Sequence, residues 1–181
     1  MRVIAGEFRS RKLLSLPGMD TRPTSDRLRE TLFNILNPII GGAVFVDAYA
    51  GTGAVGIEAL SRGARHAIFI EKDRDAVDVI KENIASLKLG PRTQVIRGAA
   101  ALHLANLDAD IVFLDPPYAK EREYQAALET LEAKAPQLAI VQHSVRLTLA
   151  ETYGPLHRTR VLKQGDNALS FFKTDSAEQT A

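Results

Sequence analysis

The sequence contains no cysteine. This excludes disulfides, thiolate metal sites and a cysteine nucleophile, and it fits a reducing compartment. It also lacks any apolar run near the roughly 18 to 20 residues that span a bilayer. The N-terminus, Met1-Arg2-Val3-Ile4-Ala5-Gly6-Glu7, has no signal-peptide core, so a soluble cytoplasmic protein is expected. Excess charge of one sign is missing too: the formal net charge is +1, so any nucleic-acid footprint must be local. There is no internal repeat or low-complexity linker, and no serine elbow or phosphate-binding loop, which removes hydrolase and NTPase readings. His66, His103, His143 and His157 are scattered without metal-site spacing, and no metal is expected.

What is present is 181 residues, 45% of them apolar, enough for one domain with a substantial core. From residue 43 onward, short apolar runs alternate with amphipathic stretches, the pattern of a parallel sheet covered by helices on both faces. Residues 43–47, 67–71, 94–97, 111–115 and 138–142 read as five parallel strands. Val77, Ile80, Ile84 and Leu87 recur at helical spacing, with Lys81 and Glu82 facing out, so a helix runs from Asp73 to Leu87 and ends at Gly90-Pro91. Residues 160–163 and 168–173 read as an antiparallel pair around Gln164-Gly165-Asp166-Asn167, beyond the breaker Tyr153-Gly154-Pro155. Before residue 43 the pattern changes. Residues 3–16 alternate like a hairpin around Gly6 and Ser10, and Ser25 can cap a helix carrying Leu28, Leu32, Ile35 and Leu36. The expected organisation is a hairpin-and-helix extension over residues 1–42, a catalytic domain over 43–173 and a frayed tail over 174–181.

Val44-Phe45-Val46-Asp47 leads into Gly51-Thr52-Gly53-Ala54-Val55-Gly56 and then a helical pattern. Glycines at 51 and 53 allow a tight turn and close approach of a ligand. The spacing fits a dinucleotide fingerprint, an S-adenosylmethionine turn or a bare structural turn. Asp47 at the strand end suits a cationic ligand and would repel a pyrophosphate. Glu71, about twenty residues on, is placed to accept from ribose hydroxyls in either cofactor.

The strand over residues 111–114 runs into Asp115-Pro116-Pro117-Tyr118. In a parallel sheet this turn lies at the same carboxyl edge as Gly51 and Glu71. An exocyclic amine of a base is a poor nucleophile because its lone pair is delocalised into the ring. Two acceptors, the Asp115 carboxylate and a main-chain carbonyl such as that of Pro116, can hold its two hydrogens and aim the lone pair at a methyl group. The prolines stiffen the turn and leave carbonyls free to accept, and Tyr118 offers a stacking face worth about 1 to 3 kcal/mol. The bland alternative is a rigid loop in which Asp115 caps the next helix.

Taken with the 47–56 turn, Asp115-Pro116-Pro117-Tyr118 resembles the class I S-adenosylmethionine-dependent amino-methyltransferases. Arg2-Val3-Ile4-Ala5-Gly6, the run Thr21-Arg22-Pro23-Thr24-Ser25-Asp26-Arg27-Leu28-Arg29-Glu30-Thr31-Leu32-Phe33-Asn34-Ile35-Leu36, and Gly56-Ile57-Glu58-Ala59-Leu60-Ser61-Arg62-Gly63-Ala64 resemble the bacterial 16S rRNA guanine-N2 methyltransferases of the RsmD family. The resemblance covers nearly the whole chain. It implies a Rossmann-like α/β fold with a seven-stranded, mostly parallel sheet, and methylation of one guanine N2 in small-subunit rRNA, on an assembling or assembled particle. It further implies that Asp47, Gly51, Gly53 and Glu71, with their neighbours Tyr49, Ala50 and Lys72, contact S-adenosylmethionine, while Asp115, Pro116, Pro117 and Tyr118 hold the target base. The chain departs from related enzymes after the third strand, where Arg97-Gly98-Ala99-Ala100 replaces an acid that binds the adenine amino group; Ala99 then contacts adenine through its main chain.

Arg2, Arg9, Arg11, Lys12, Arg22, Arg27 and Arg29 outnumber Glu7, Asp20, Asp26 and Glu30 in the N-terminal segment. They fit a local RNA-phosphate surface or a solvated face; Arg22 fits RNA contact, a place over the cofactor with Thr21-Arg22-Pro23-Thr24, or pairing with a carboxylate. Competing functions are amino-methylation of another RNA; amino-methylation of DNA at adenine N6 or cytosine N4, which requires base flipping and usually a separate target-recognition domain for which 181 residues leave no room; and glutamine methylation, which usually has Asn in place of Asp115. An NAD-dependent oxidoreductase and a non-catalytic RNA-binding module complete the set. A monomer is expected.

Overall fold

The computed structural model describes residues 1–16, 23–117 and 121–175, the side chains of residues 23–25 excepted. The expectations for Ser25, Arg22, Tyr118 and most of the tail therefore lie outside the described residues.

The elements run α1 (Pro23–Leu36), β1 (Val44–Asp47), α2 (Ala54–Ser61), β2 (His66–Glu71), α3 (Arg74–Ser86), β3 (Thr93–Arg97), α4 (Ala100–His103), β4 (Ile111–Leu114), α5 (Glu121–Thr130), β5 (Leu138–Ser144), β6 (Thr152–Tyr153), β7 (Leu156–Gln164) and β8 (Asn167–Thr174). They build one eight-stranded sheet in the order β3-β2-β1-β4-β5-β8-β7-β6. Strands β1 to β5 are mutually parallel, and β8, β7 and β6 continue the sheet antiparallel. Strand order reverses between β1 and β4, so their carboxyl ends diverge into a crevice, the usual ligand position in such sheets.

The sheet has eight strands rather than seven. Thr152 and Tyr153 pair with His157 and Leu156 across the Tyr153-Gly154-Pro155 breaker. Two residues carry no readable alternation, so this edge pair was invisible in the sequence. The turn between β7 and β8 falls at Gly165-Asp166, with Gly165 at φ 62.

Interior strands are buried on both faces, and β4 (Ile111–Leu114) has no exposed residue, which is why it reads as a continuous apolar run. One face packs Phe45, Phe69 and Phe113 against α1 and α2 through Leu28, Leu32, Phe33, Leu36, Ile57 and Leu60. The other packs Val46, Ile70, Val112 and Leu114 against Tyr124, Ala127, Leu128 and Leu131. Helix α3 buries Val77, Ile80 and Ile84 as its periodicity requires, and Asp73 caps it by accepting from the Ala76 N–H at 2.9 Å. It stops at Ser86, before Gly90-Pro91; Lys88, at φ 56, takes the left-handed position usually given to glycine.

The N-terminal segment folds back on itself as a short antiparallel pair: Arg2 bridges Lys12, and the Val3, Ser10 and Leu13 amides donate to the Arg11, Val3 and Met1 carbonyls at 3.0, 2.9 and 3.0 Å. Acceptors on α2 hold the residues between the two arms. The amides of Ile4 and Ala5 donate to the Glu58 carboxylate at 2.8 and 3.0 Å, Glu7 N–H donates to the Ser61 carbonyl at 2.8 Å, and Phe8 N–H to Ser61 Oγ at 3.0 Å. A Cβ on Gly6 would lie 1.9 Å from the Ser61 carbonyl oxygen, so glycine is required for that close approach.

Candidate active site

Two acids organise the glycine turn. Asp47 ends β1 at 1% exposure and accepts from the Gly56 N–H at 3.0 Å. Gly53, at the N-cap of α2 with φ 79, has no side chain to offer, so the Asp47 carboxyl satisfies a first-turn amide in its place. Glu71 accepts from Gly51 N–H at 2.8 Å through one oxygen and from Asp73 N–H at 2.9 Å through the other. This ties the turn after β1 to the turn after β2 and leaves each oxygen a second lone pair for a ligand.

The glycines divide by role. Gly51, at φ 55, has no atom within 4 Å of an added Cβ, and it borders open space. A Cβ on Gly53 would touch Phe69 and Ile80 at 3.4 Å, and one on Gly56 would lie 2.4 Å from the Phe69 ring. Gly53 and Gly56 therefore serve the packing of the turn, and Gly53 lies outside the cavity lining.

That open space is a cavity of about 670 Å³ at the carboxyl ends of β1, β2 and β4, within the roughly 300 to 1,000 Å³ usual for small-ligand sites. Asp47, Tyr49, Ala50, Gly51, Glu71, Lys72 and Ala99 border it, and so do Asp115, Pro116 and Pro117. The crossover that reverses strand order thus brings both sequence motifs to one cavity.

Asp115 lies just past β4, its carboxyl densely surrounded although part of the residue is accessible. Its one hydrogen bond among the described residues is accepted from Gln142 Nε2 at 3.3 Å, which is long for such a bond. Burial pushes its pKa up to about 7, with a further upward contribution from Asp47. Burial also raises Asp47 to about 7; the Gly56 hydrogen bond opposes that shift and Glu71 adds to it. Two carboxyls destabilised in this way favour a cation beside them. Tyr49 is raised to about 12 by burial and then by Glu123.

The Pro116 carbonyl, expected as a free acceptor, already accepts from the Tyr124 hydroxyl at 2.9 Å. That bond anchors the turn to α5, and the second lone pair of the oxygen remains for a substrate. Tyr124 and Gln142 were missed in the sequence. Gln142 had a signal: it is the polar residue that interrupts the apolar run of β5.

The basic residues separate. Arg2, Arg9, Arg11, Lys12 and Arg27 are exposed. Arg29 is not a surface residue; it is 7% exposed and borders the cavity. It shares a helical face with Leu32 and Leu36, three and seven positions on, and that face turns inward.

A family model described as conserved hypothetical protein 95 matches residues 1–173. The chain belongs to this family, the RsmD family. It is 37% identical to the Bacillus subtilis protein named "Putative rRNA methyltransferase YlbH" over 96% of this chain and 98% of that one. It is 45% identical to ribosomal RNA small subunit methyltransferase D of Escherichia coli over 120 residues, 65% of this chain; the match spans 60% of that relative's length. The solved structure of Escherichia coli yhhF superposes with a TM-score of 0.82 at 36% identity, covering 96% of this chain and 97% of that one. As an RsmD-family chain it carries the class I methyltransferase fold, with the two turns described above at its cavity.

Proposed function

We propose that this chain transfers a methyl group from S-adenosylmethionine to the exocyclic N2 of one guanine in 16S rRNA of the small ribosomal subunit, acting as a monomer in the cytoplasm. The observation that carries the reading is the Asp115 carboxyl, which among the described residues has one long hydrogen bond and borders the cavity that the glycine turn lines.

The residues present fit the cofactor. Gly51 leaves the room a bound nucleoside would fill, Glu71 keeps free lone pairs for ribose hydroxyls, and Asp47 and Asp115 favour a sulfonium. Tyr49, Ala50, Lys72 and Ala99 complete the walls. When bound, S-adenosylmethionine supplies an electrophilic methyl group. The protein's own work is positional. Asp115 accepts one hydrogen of the guanine amine and the Pro116 carbonyl accepts the other, so the nitrogen lone pair points into the cavity. Pro117 stiffens the turn and keeps water from the amine. The alkylated nitrogen is acidic and gives up its proton to water or to the Asp115 carboxylate. Among the exposed cations, Arg2, Arg9, Arg11, Lys12 and Arg27 are the proposed phosphate contacts.

The test is tritiated methyl transfer to small subunits lacking their native methylations, with naked 16S rRNA and DNA in parallel, followed by nucleoside analysis. Label in N2-methylguanosine that disappears with Asp115→Ala is the expected result. Label in N6-methyladenosine or in DNA alone would replace this reading with the alternative amino-methyltransferase, and no label in any nucleic acid would sink both.

A further inference from the structure

The Arg29 guanidinium is only partly satisfied. Its side chain is 6% exposed, and Nη2 donates to the Arg2 carbonyl at 2.8 Å and to Asp26 Oδ1 at 3.2 Å. Its Nε is buried with no hydrogen-bond partner. Buried arginine donors are costly to leave unpaired, and burial alone already disfavours the charged form here. Glu58 is the nearest acid on α2, but its carboxylate is taken up by Ile4 N–H, Ala5 N–H and Arg62 Nε. Among the described residues Asp26 is its one ion-pair partner and engages only Nη2, so the guanidinium keeps donor capacity at the border of the cavity.

Arg29 and Lys72 are the two basic side chains on the cavity wall among the described residues, and they lie in different settings. Lys72 follows β2, is half-exposed, and sits 3.9 Å from Glu123. Arg29 projects from α1 toward the turn after β1, where Met1 and Thr52 also border the cavity. The sheet order β3-β2-β1-β4 separates these regions. With a nucleoside held by Glu71 and Ala99 at the ends of β2 and β3, the amino-acid tail of the cofactor falls on the β1 side, under α1.

We infer that Arg29 binds the α-carboxylate of the methionine half of S-adenosylmethionine through the part of its guanidinium that borders the cavity, with Asp26 and the Arg2 carbonyl holding the group in place by Nη2. The inference rests on the cofactor assignment above. It also makes the N-terminal segment part of the cofactor site, because the Arg2 carbonyl orients the arginine. A planar guanidinium pre-set by two bonds presents a fork that matches a carboxylate.

The experiment is calorimetric binding of two ligands that differ in the tail, S-adenosylhomocysteine and 5′-methylthioadenosine, to the full chain and to Arg29→Met. The wild type is expected to prefer S-adenosylhomocysteine, and Arg29→Met to lose about ten- to hundredfold of that affinity while binding methylthioadenosine within about twofold of wild type. Arg29→Lys should recover part of the loss. Equal losses for both ligands, or no loss for either, would overturn the inference and leave Arg29 a packing residue. If neither variant folds, the wild-type Arg29 Nε–H resonance decides: it should move on adding S-adenosylhomocysteine and stay with methylthioadenosine, and the reverse refutes the role. A wild type that binds neither nucleoside would instead refute the cofactor assignment itself.

Discussion

Asp47 and Asp115 end neighbouring strands, sit on one cavity and share a pKa raised to about 7, yet the fold uses them differently. Asp47 is committed: its carboxyl caps α2 through Gly56, so the turn is rigid before any ligand arrives. Among the described residues Asp115 has only the long contact from Gln142, which leaves it acceptor capacity. One acid therefore builds the binding site, while the other is held ready for a substrate. A buried polar group left under-satisfied is costly unless something later pairs with it, and that cost is what supports the role proposed for Asp115.

The largest effect expected from breaking this contrast is on turnover. Asp115→Ala should lower the methyl-transfer rate by about 10²- to 10³-fold, comparable to losing one preorganised hydrogen bond in a transition state, while far-UV circular dichroism and affinity for the neutral S-adenosylhomocysteine stay close to wild type. Loss of fold in this variant would show Asp115 to be structural instead. Asp47→Asn keeps an acceptor for Gly56 but removes the charge. S-adenosylmethionine affinity should fall by about tenfold, and the neutral S-adenosylhomocysteine should lose much less; equal losses measured by calorimetry would refute an electrostatic role.

A pH series sharpens the point. The carboxyl pKa values are raised, so negative charge in the cavity grows as pH passes through about 7. The ratio of S-adenosylmethionine to S-adenosylhomocysteine affinity should therefore rise by up to about tenfold between pH 6 and pH 8. A flat ratio would mean that the acids are ionised throughout. The same sign governs stability. A carboxyl whose folded pKa is raised favours the folded state most at low pH, and that contribution is lost as pH rises from the ordinary value of 3.8 to about 7. Asp115→Asn removes the penalty, so its Tm should exceed wild type by about 3 °C at pH 8 and show no gain at pH 4. The smallest effect should come from Gly51→Ala, with a strain of about 1 to 2 kcal/mol from the positive φ and weaker cofactor binding, because the new methyl enters the cavity.

Much of this was legible in the sequence. Period-two and continuous apolar runs located β1 to β5 within a few residues, because strands buried on both faces admit almost nothing polar. The two turns stood out because glycine permits backbone geometry that other residues avoid and proline fixes φ, wherever they occur. The short β6 pair carried too little pattern to read. The N-terminal alternation located a pair of arms that bridge at Arg2 and Lys12 but misled about their surroundings: the amides between them found acceptors on Glu58 and Ser61 of α2, partners far away in the chain. Arg29 misled in the same way, since a basic residue in a basic run looks solvent-facing until helix α1 is docked.

The sequence by itself determined β1 to β5, helix α3 and the two turns whose residues could carry the chemistry, because local propensity and periodicity act over a few positions. Only the tertiary structure decided that the Asp47 and Asp115 turns share one cavity, that Glu71 braces Gly51, that Gln142 reaches Asp115 and that Arg29 turns inward. Those facts follow from strand order and helix docking, which bring together residues far apart in the chain and set the burial that shifts their charges.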